Sequence, residues 1–310
     1  MELELPAGEP FHKNTIELNS GRTSFEYLLR LHKPKRVYMP KYTCQVVIDP
    51  LDKLNIEYIF YSLNEHLEIQ ELPDVQADEL LLYINYFGIK NTYTHKLAQK
   101  YGSRMVADCT QSFYFTDYGE SHAIYSPRKF FGVSDGGYLI TSGTLKDDFP
   151  IDTSYQRIQH LLKRIDVGAP ASYFDFMANN YSLMHEPIKQ MSHLTQRLLA
   201  SIDYDSARRQ RNSNFEVLHE ALKTKNQLDI NIKSINGPYM YPLMSNDAPE
   251  IKQRLHQNGI FTASFWPSVH ERCLSAETEY QLTKRIICLP LDQRYSTDEM
   301  EQILKTISDY

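Results

Sequence analysis

The sequence predicts an α/β protein: a mostly parallel sheet with helices on both faces, followed by a small α+β unit at the C-terminal end. Three observations predict it. Through the first half of the chain, short runs rich in β-branched and aromatic residues alternate with segments of helical spacing. Those runs are apolar along nearly their whole length, the pattern of strands buried on two faces rather than one. After the middle of the chain, strand, helix, strand and helix follow once more in a shorter unit.

Each element follows from its own residues. The run "TSFEYLLRLH" (23–32) has helical spacing, and Asn19-Ser20-Gly21 before it is a turn and cap. "RVYMP" (36–40) reads as a short buried strand, and "YTCQVVIDPLDKL" as a helix that a proline starts to break. "IEYIFYSL" (56–63) and "ELLLYINYF" (79–87) are strands by composition. "THKLAQKYG" is a short helix ending at Gly102, and "RMVADCTQ" (104–111) an apolar strand that stops at polar residues. A strand-like "YLIT" follows an Asp-Gly-Gly turn. Between residues 151 and 203 the chain turns helical and polar, with "IQHLLKRI" and "PIKQMSHLTQRLL" at 3.6 spacing, and residues 204–223 form a long connecting helix. "PYMYPLMS" and "RIICLPL" are strands, "APEIKQRLHQNGI" a helix, and "STDEMEQILKTI" a helix opened by a Ser-x-x-Glu capping box. The expected division is a large domain over residues 1–203, then a connecting helix and small C-terminal domain over 204–310.

Composition narrows the function. The 310 residues are 42% hydrophobic, enough for a proper core. The net charge of −6 is scattered, with no basic block to track a nucleic-acid backbone, so nucleic acid is not an expected partner. No signal peptide and no apolar segment of membrane-spanning length is seen, which points to the cytoplasm and away from a membrane. Cys44, Cys109, Cys273 and Cys288 are far apart and form no CxxC pair, and the histidines show no ligand spacing. Neither a disulfide framework nor a metal site is expected.

In open α/β sheets ligands sit beyond the carboxyl ends of the strands. The first candidates are therefore Asp108, Gln111 and the segment around Lys129 in "AIYSPRKFFGVSDGGYLIT". Lys129 lies between Ser-Pro-Arg and two phenylalanines, where an unpaired ammonium costs several kcal/mol, roughly, if buried. Alternatively it is a surface lysine snorkelling over Phe130 and Phe131. Asp108 closes an apolar strand 21 residues earlier, either as a turn or cap residue or as a buried charge in need of a partner. "NSGRTS" offers unpaired amides and a helix dipole to an anion.

Six stretches in order resemble one family: "LNSGRTSFEYLL", "VYMPKYTCQVVIDPL", "YINYFG", "VADCTQSF", "YSPRKFFGVSDGGYLIT" and "ICLPLDQRYSTDEME". The chain resembles the DegT/DnrJ/EryC1/StrS sugar aminotransferases, pyridoxal-phosphate enzymes of fold type I, over almost its full length. The resemblance implies that Lys129 forms the internal aldimine with pyridoxal 5'-phosphate, in an apolar, cation-flanked pocket that favours the free amine. It implies that Asp108 binds the pyridine nitrogen and that Gln111 lies by the phenolic oxygen. The phosphate falls to Gly21, Arg22, Thr23 and Ser126. Where many members have Gly-Thr this chain has Gly21-Arg22, so Arg22 either pairs the phosphate bidentately or points to solvent. Cys44 stands where the family places a stacking aromatic; Tyr42, Tyr86 or Phe87 takes over that contact, or Cys44 alone packs the ring. Arg128 carries charge without an assigned role. Asn179 and Asn180 match loosely a loop that reaches the neighbouring subunit's cofactor phosphate.

The implied activity is transamination from an amino donor, usually glutamate in this family, to a keto group of a nucleotide-linked deoxysugar for surface polysaccharide or antibiotic sugars. The freed lysine moves the proton as base and acid. A homodimer with the cofactor near the interface is expected. The chain is shorter than a typical member, between Thr141 and Asp203, which bears on the acceptor. Two other readings stand beside this one. A sugar dehydratase of the same fold would carry histidine in place of Lys129, and a non-catalytic or regulatory relative would have no need of both Lys129 and Asp108.

Overall fold

The computed structural model describes residues 3–307. The large sheet takes shape from β1 (Ile16–Leu18), β2 (Arg36–Pro40), β3 (Glu57–Tyr61), β4 (Glu79–Ile84), β5 (Met105–Asp108), β6 (His122–Tyr125) and β7 (Gly137–Ile140). Their spatial order is β1-β7-β6-β5-β4-β2-β3. The run from β6 to β3 is parallel, and β7 alone is antiparallel to both its neighbours. The expected mostly parallel α/β sheet is therefore present. Every residue of β4, β5 and β6 is buried, which is why these runs show no polar alternation. β3 lies at the edge and does alternate, leaving Ile59 exposed.

The first helices connect and cover this sheet: α1 (Gly21–His32), α2 (Gln45–Leu54) and α3 (Asn91–Tyr101). α1 opens on Ser20, whose hydroxyl accepts from the Thr23 amide at 3.2 Å while the Ser20 amide donates to the Thr23 hydroxyl at 3.1 Å. α2 continues past Pro50 instead of stopping there. One amide donor is lost, and burial of Ile48, Pro50 and Leu51 offsets it.

Between the two sheets run α4 (Gln159–Val167), α5 (Ala169–Ser182), α6 (His193–Ala200) and α7 (Tyr204–Leu222). The helix expected from Pro187 begins only at His193, capped by Ser192. Residues 189–191 are extended instead, because their backbone completes the edge of the sheet: the Asn19 amide donates to the Lys189 carbonyl and the Met191 amide to that of Glu17. The C-terminal unit holds β8 (Tyr241–Met244), α8 (Ala248–Gln257), α9 (Val269–Arg272), α10 (Thr278–Arg285), β9 (Ile286–Leu289) and α11 (Thr297–Ile307). β8 and β9 pair antiparallel, and α11 packs on α7 and α8. The expected box at the start of α11 is visible in the Ser296 amide, which donates to Glu299 at 2.8 Å. Two strands had no sequence signal: β1 has three residues and β6 four, too few for a period to show. Among the described residues no helix is long and apolar enough to cross a membrane.

Candidate functional site

Parallel pairing sets Asp108, the last residue of β5, opposite Ile124 of β6, so both chains leave the sheet at the same rim. The N-terminus of α1 faces that rim, and a cavity of about 390 Å³ opens between them. Its walls combine sheet residues such as Leu82 and Ile84, the α1 start at Ser20 to Arg22, Cys44, the end of α5 and, from the C-terminal unit, Phe265 and Trp266.

Lys129 ends a single 3₁₀ turn, Pro127–Lys129, that follows β6. Its Nζ donates to Thr110 Oγ1 at 3.0 Å, and the Thr110 amide donates to Asp108 Oδ1 at 2.9 Å, so one short chain of contacts links the amine to the carboxylate. The Lys129 side chain is exposed to the open cavity. Desolvation pulls its pKa below the ordinary lysine value; Asp108 and, less strongly, Cys44 oppose this, and Arg128 adds to it. The turn is fixed from behind, where the Phe130 carbonyl accepts from Gln293 Nε2 at 2.7 Å and from buried Arg211 at 3.5 Å. Arg211 also lies over the Phe130 ring at 4.6 Å.

The Asp-Gly-Gly segment brings two distant motifs together. Asp135 is fully buried and accepts from the Ser192 amide at 2.9 Å, the Ser192 hydroxyl at 2.7 Å and the Thr195 hydroxyl. Gly136 donates its amide to the Asn19 carbonyl at 2.8 Å. At Gly137 a Cβ would stand 2.3 Å from the Ser20 carbonyl oxygen, so β7 can pass the cap of α1 only as glycine. The start of α1 and the Lys129 turn are thereby locked into one rim.

Six of the eight candidate residues border the cavity: Lys129, Asp108, Ser126, Gly21, Arg22 and Cys44. The other two do not. Gln111 is buried behind the wall; its Oε1 accepts from the Phe87 amide at 2.8 Å and its Nε2 has no partner. The Thr23 hydroxyl is used within the cap, donating to Asn19 Oδ1 at 2.7 Å. Arg22 does not point to solvent: Nη1 donates to the Leu183 carbonyl at 3.1 Å and to that of Met184, and Nε lies 3.7 Å from Asp49. Tyr42, Tyr86 and Phe87 are wholly buried and outside the wall, which leaves Cys44 there.

Sequence reasoning missed Thr110, although it sits inside the Asp-Cys-Thr-Gln motif, gave Arg128 no role, and matched Asn180 only loosely to a loop at a neighbouring subunit. Arg128 lines the cavity and donates from Nη2 to Asn180 Oδ1 at 2.7 Å. Phe265 and Trp266 come from an irregular loop with no pattern to read. A group of possible metal ligands not visible as a spacing is also present: Cys273, Glu277 and Glu279 have ligand atoms within 4.8 Å of one another. Lys41 pairs with Glu277, and Glu279 accepts from the Leu63 amide at 2.6 Å, so both carboxylates are already in use.

No family model matches the sequence, and no curated protein matches it. Solved structures do. A DegT DnrJ EryC1 StrS aminotransferase from Brucella abortus superposes with a TM-score of 0.62 at 13% identity, covering 96% of this chain and 86% of that one. The sugar aminotransferase CalS13 from Micromonospora echinospora gives 0.65 at 15% identity, covering 95% and 87%. The sugar aminotransferase Spr1654 from Streptococcus pneumoniae, in its PLP form, gives 0.62 at 14% identity, covering 94% and 85%. The likeness runs along nearly the whole chain, and at these identities it establishes the fold: that of the fold type I sugar aminotransferases the six motifs resemble.

Proposed function

We propose that this chain is a pyridoxal-phosphate-dependent aminotransferase that moves an amino group, from glutamate, to a keto group of a nucleotide-linked deoxysugar. The observation that carries the reading is a lysine amine, Lys129, that opens on a cavity at the carboxyl ends of a parallel sheet, has a lowered pKa and is linked through Thr110 to a buried carboxylate, Asp108. The residues present fit the cofactor. An amine with a lowered pKa suits covalent capture of an aldehyde, a buried carboxylate suits a protonated ring nitrogen, and the orphaned Gln111 Nε2 is a donor in want of an acceptor.

Pyridoxal phosphate, when bound, supplies an electron sink for the carbanion at the substrate's α-carbon. Lys129 would hold the cofactor through Nζ, and the same amine, when free, would carry the proton to and from the reacting carbon. Asp108 would hold the ring nitrogen, and the resemblance gives the phenolic oxygen to Gln111, whose orphaned Nε2 lies behind the cavity wall. The unpaired amides at the start of α1, with Gly21, and the Ser126 hydroxyl take the phosphate. Arg22 contributes charge there from its fixed place on the end of α5, Thr23 holds the cap, and Cys44 packs against the ring. Phe265 and Trp266 keep water from the reacting face.

The sugar acceptor is supported by the names of the similar structures and by no residue contact. The small C-terminal domain from residue 204, the cytoplasmic address and the homodimer belong to the same reading. For the homodimer the support is physical: Ile165, Phe174 and Tyr181 on α4 and α5 are 83%, 81% and 68% exposed in the single chain.

The test is visible absorbance of the purified protein with added pyridoxal phosphate, together with borohydride fixation and mapping of the modified lysine. Capture at Lys129, loss of the band in Lys129→Ala, and conversion of the band by glutamate are expected. Absence of a band, or a band that survives Lys129→Ala, overturns the assignment of the cofactor site. A band unchanged by glutamate overturns the donor.

A further inference from the structure

We infer that Arg128 is the anion anchor of the cavity: its guanidinium, held in place by Asn180, grips a phosphate or carboxylate oxygen pair of the bound ligand.

Arg128 is half-buried with its Nε fully enclosed, and desolvation brings its pKa down to about 10. Among the described residues no carboxylate pairs with it. Asp135 acts on it through space only, since that carboxylate takes three donors from Ser192 and Thr195. One of its five N–H groups is used, in the bond to Asn180 Oδ1, and its buried Nε has no partner. Such a cation is costly unless something pairs with it. The neighbouring guanidinium is different. Arg22 spends Nη1 on two carbonyls at the end of α5 and has Asp49 3.7 Å from Nε, so its guanidinium is tied to the protein at more points than that of Arg128.

The charges lining the cavity show the same imbalance. Arg22, Arg128 and Lys129 face one carboxylate, Asp108, in a protein whose net charge is −6. A planar guanidinium with a free edge matches an oxyanion in a bidentate grip. Asn180 is a positioning residue: it orients the guanidinium from the last turn of α5, which ties α5 to the ligand.

Two sources carry this chemistry, the phosphate of the cofactor and a carboxylate of the amino donor. Naming either rests on the proposed function; the anion contact itself does not, and the first measurement is independent of that function. Inorganic phosphate is titrated into the cofactor-free protein by calorimetry. Arg128→Gln is expected to weaken it about 10- to 100-fold, and Arg128→Lys, which keeps the charge but not the fork, to recover part of the loss. Asn180→Asp places a carboxylate against Arg128 and is expected to abolish phosphate binding while the melting temperature holds or rises.

Affinities for pyridoxal phosphate and for pyridoxal then identify the source. If Arg128→Gln weakens the phosphorylated form alone, the anchor holds the cofactor's phosphate. If it leaves both unchanged and raises the KM of glutamate, the anchor holds the donor. The inference is overturned if phosphate, pyridoxal phosphate and glutamate all bind Arg128→Gln and Asn180→Asp within about twofold of wild type, whether or not the melting temperature falls. Anchoring with no capture at Lys129 would overturn the aminotransferase reading and leave this one standing.

Discussion

The rim at the ends of β5 and β6 and the α4–α5 hairpin border one cavity, but they are stabilised in opposite ways. At the rim, satisfaction is internal. Asp135 takes three donors, the Phe130 carbonyl is held by Gln293 and Arg211, and Gly137 leaves room for the Ser20 cap. The hairpin gives the core few side chains, His160, Ser172 and Asn179 among its buried ones, and turns Ile165, Val167, Phe174 and Tyr181 outward. Outward apolar side chains concentrated on two adjoining helices form a patch of the kind that marks an interaction surface. The rim is thus complete in one chain, whereas the hairpin leaves an apolar face uncovered, the face we propose a second copy covers. Asn180, Leu183 and Met184 belong to the hairpin end and also face the cavity, so a second copy seated on the hairpin would adjoin the site.

The largest expected effect comes from breaking the rim. Gly137→Ala places a methyl against the Ser20 carbonyl oxygen, so β7 or the cap must shift, at a cost of about 3 kcal/mol or more. Urea unfolding should show that loss, with weakened cofactor capture; a variant within about 0.5 kcal/mol of wild type would mean the two motifs are not locked together. Breaking the hairpin acts differently. Ile165→Asp with Phe174→Asp should leave the chain folded, by circular dichroism, and convert a dimer to a monomer in light scattering. A wild-type protein that is already monomeric removes the contrast altogether.

A smaller effect sharpens the rim. Gln293→Leu leaves the Phe130 carbonyl with only the longer Arg211 contact and should cost about 1–3 kcal/mol, visible in the melting temperature; no change would mean Arg211 alone holds the turn. A last effect, spread over a pH range, is a pH dependence of the large domain. Burial lowers His12 and His122 to about 4, and for His122 the neighbouring His32 adds to this. Because the folded pKa lies below the unfolded value near 6.5, their contribution is full above pH 6.5 and is lost as pH falls toward 4. Each accounts for at most about 3 kcal/mol. Unfolding series at several pH values should steepen in that window, and His122→Gln should remove its share of the slope.

Much of this was legible because certain residues admit few environments. Central strands buried on two faces must be apolar throughout, and "ELLLYI" and "RMVAD" show it. Ser20 and Ser296 declared their helix starts because a cap needs a hydroxyl at that place. Lys129 and Asp108 stood out because charge at the end of an apolar run requires an explanation. Where reading failed, the deciding contact was distant. Residues 187–192 keep helical spacing but spend their backbone on the edge of the sheet. Thr23 looked like a phosphate ligand, and its hydroxyl is taken by the cap. Arg22 looked free, and two carbonyls some 160 residues on hold it.

By itself the sequence determined the alternation of strands and helices, the rim at which a ligand would lie, and the lysine and carboxylate that face it, because burial, capping and charge act through residue type and short spacing. The tertiary structure alone decided which of two adjacent arginines remains available to an anion. Residue type makes Arg22 and Arg128 equivalent; only the carbonyls of Leu183 and Met184 around one, and the lone amide of Asn180 beside the other, distinguish them.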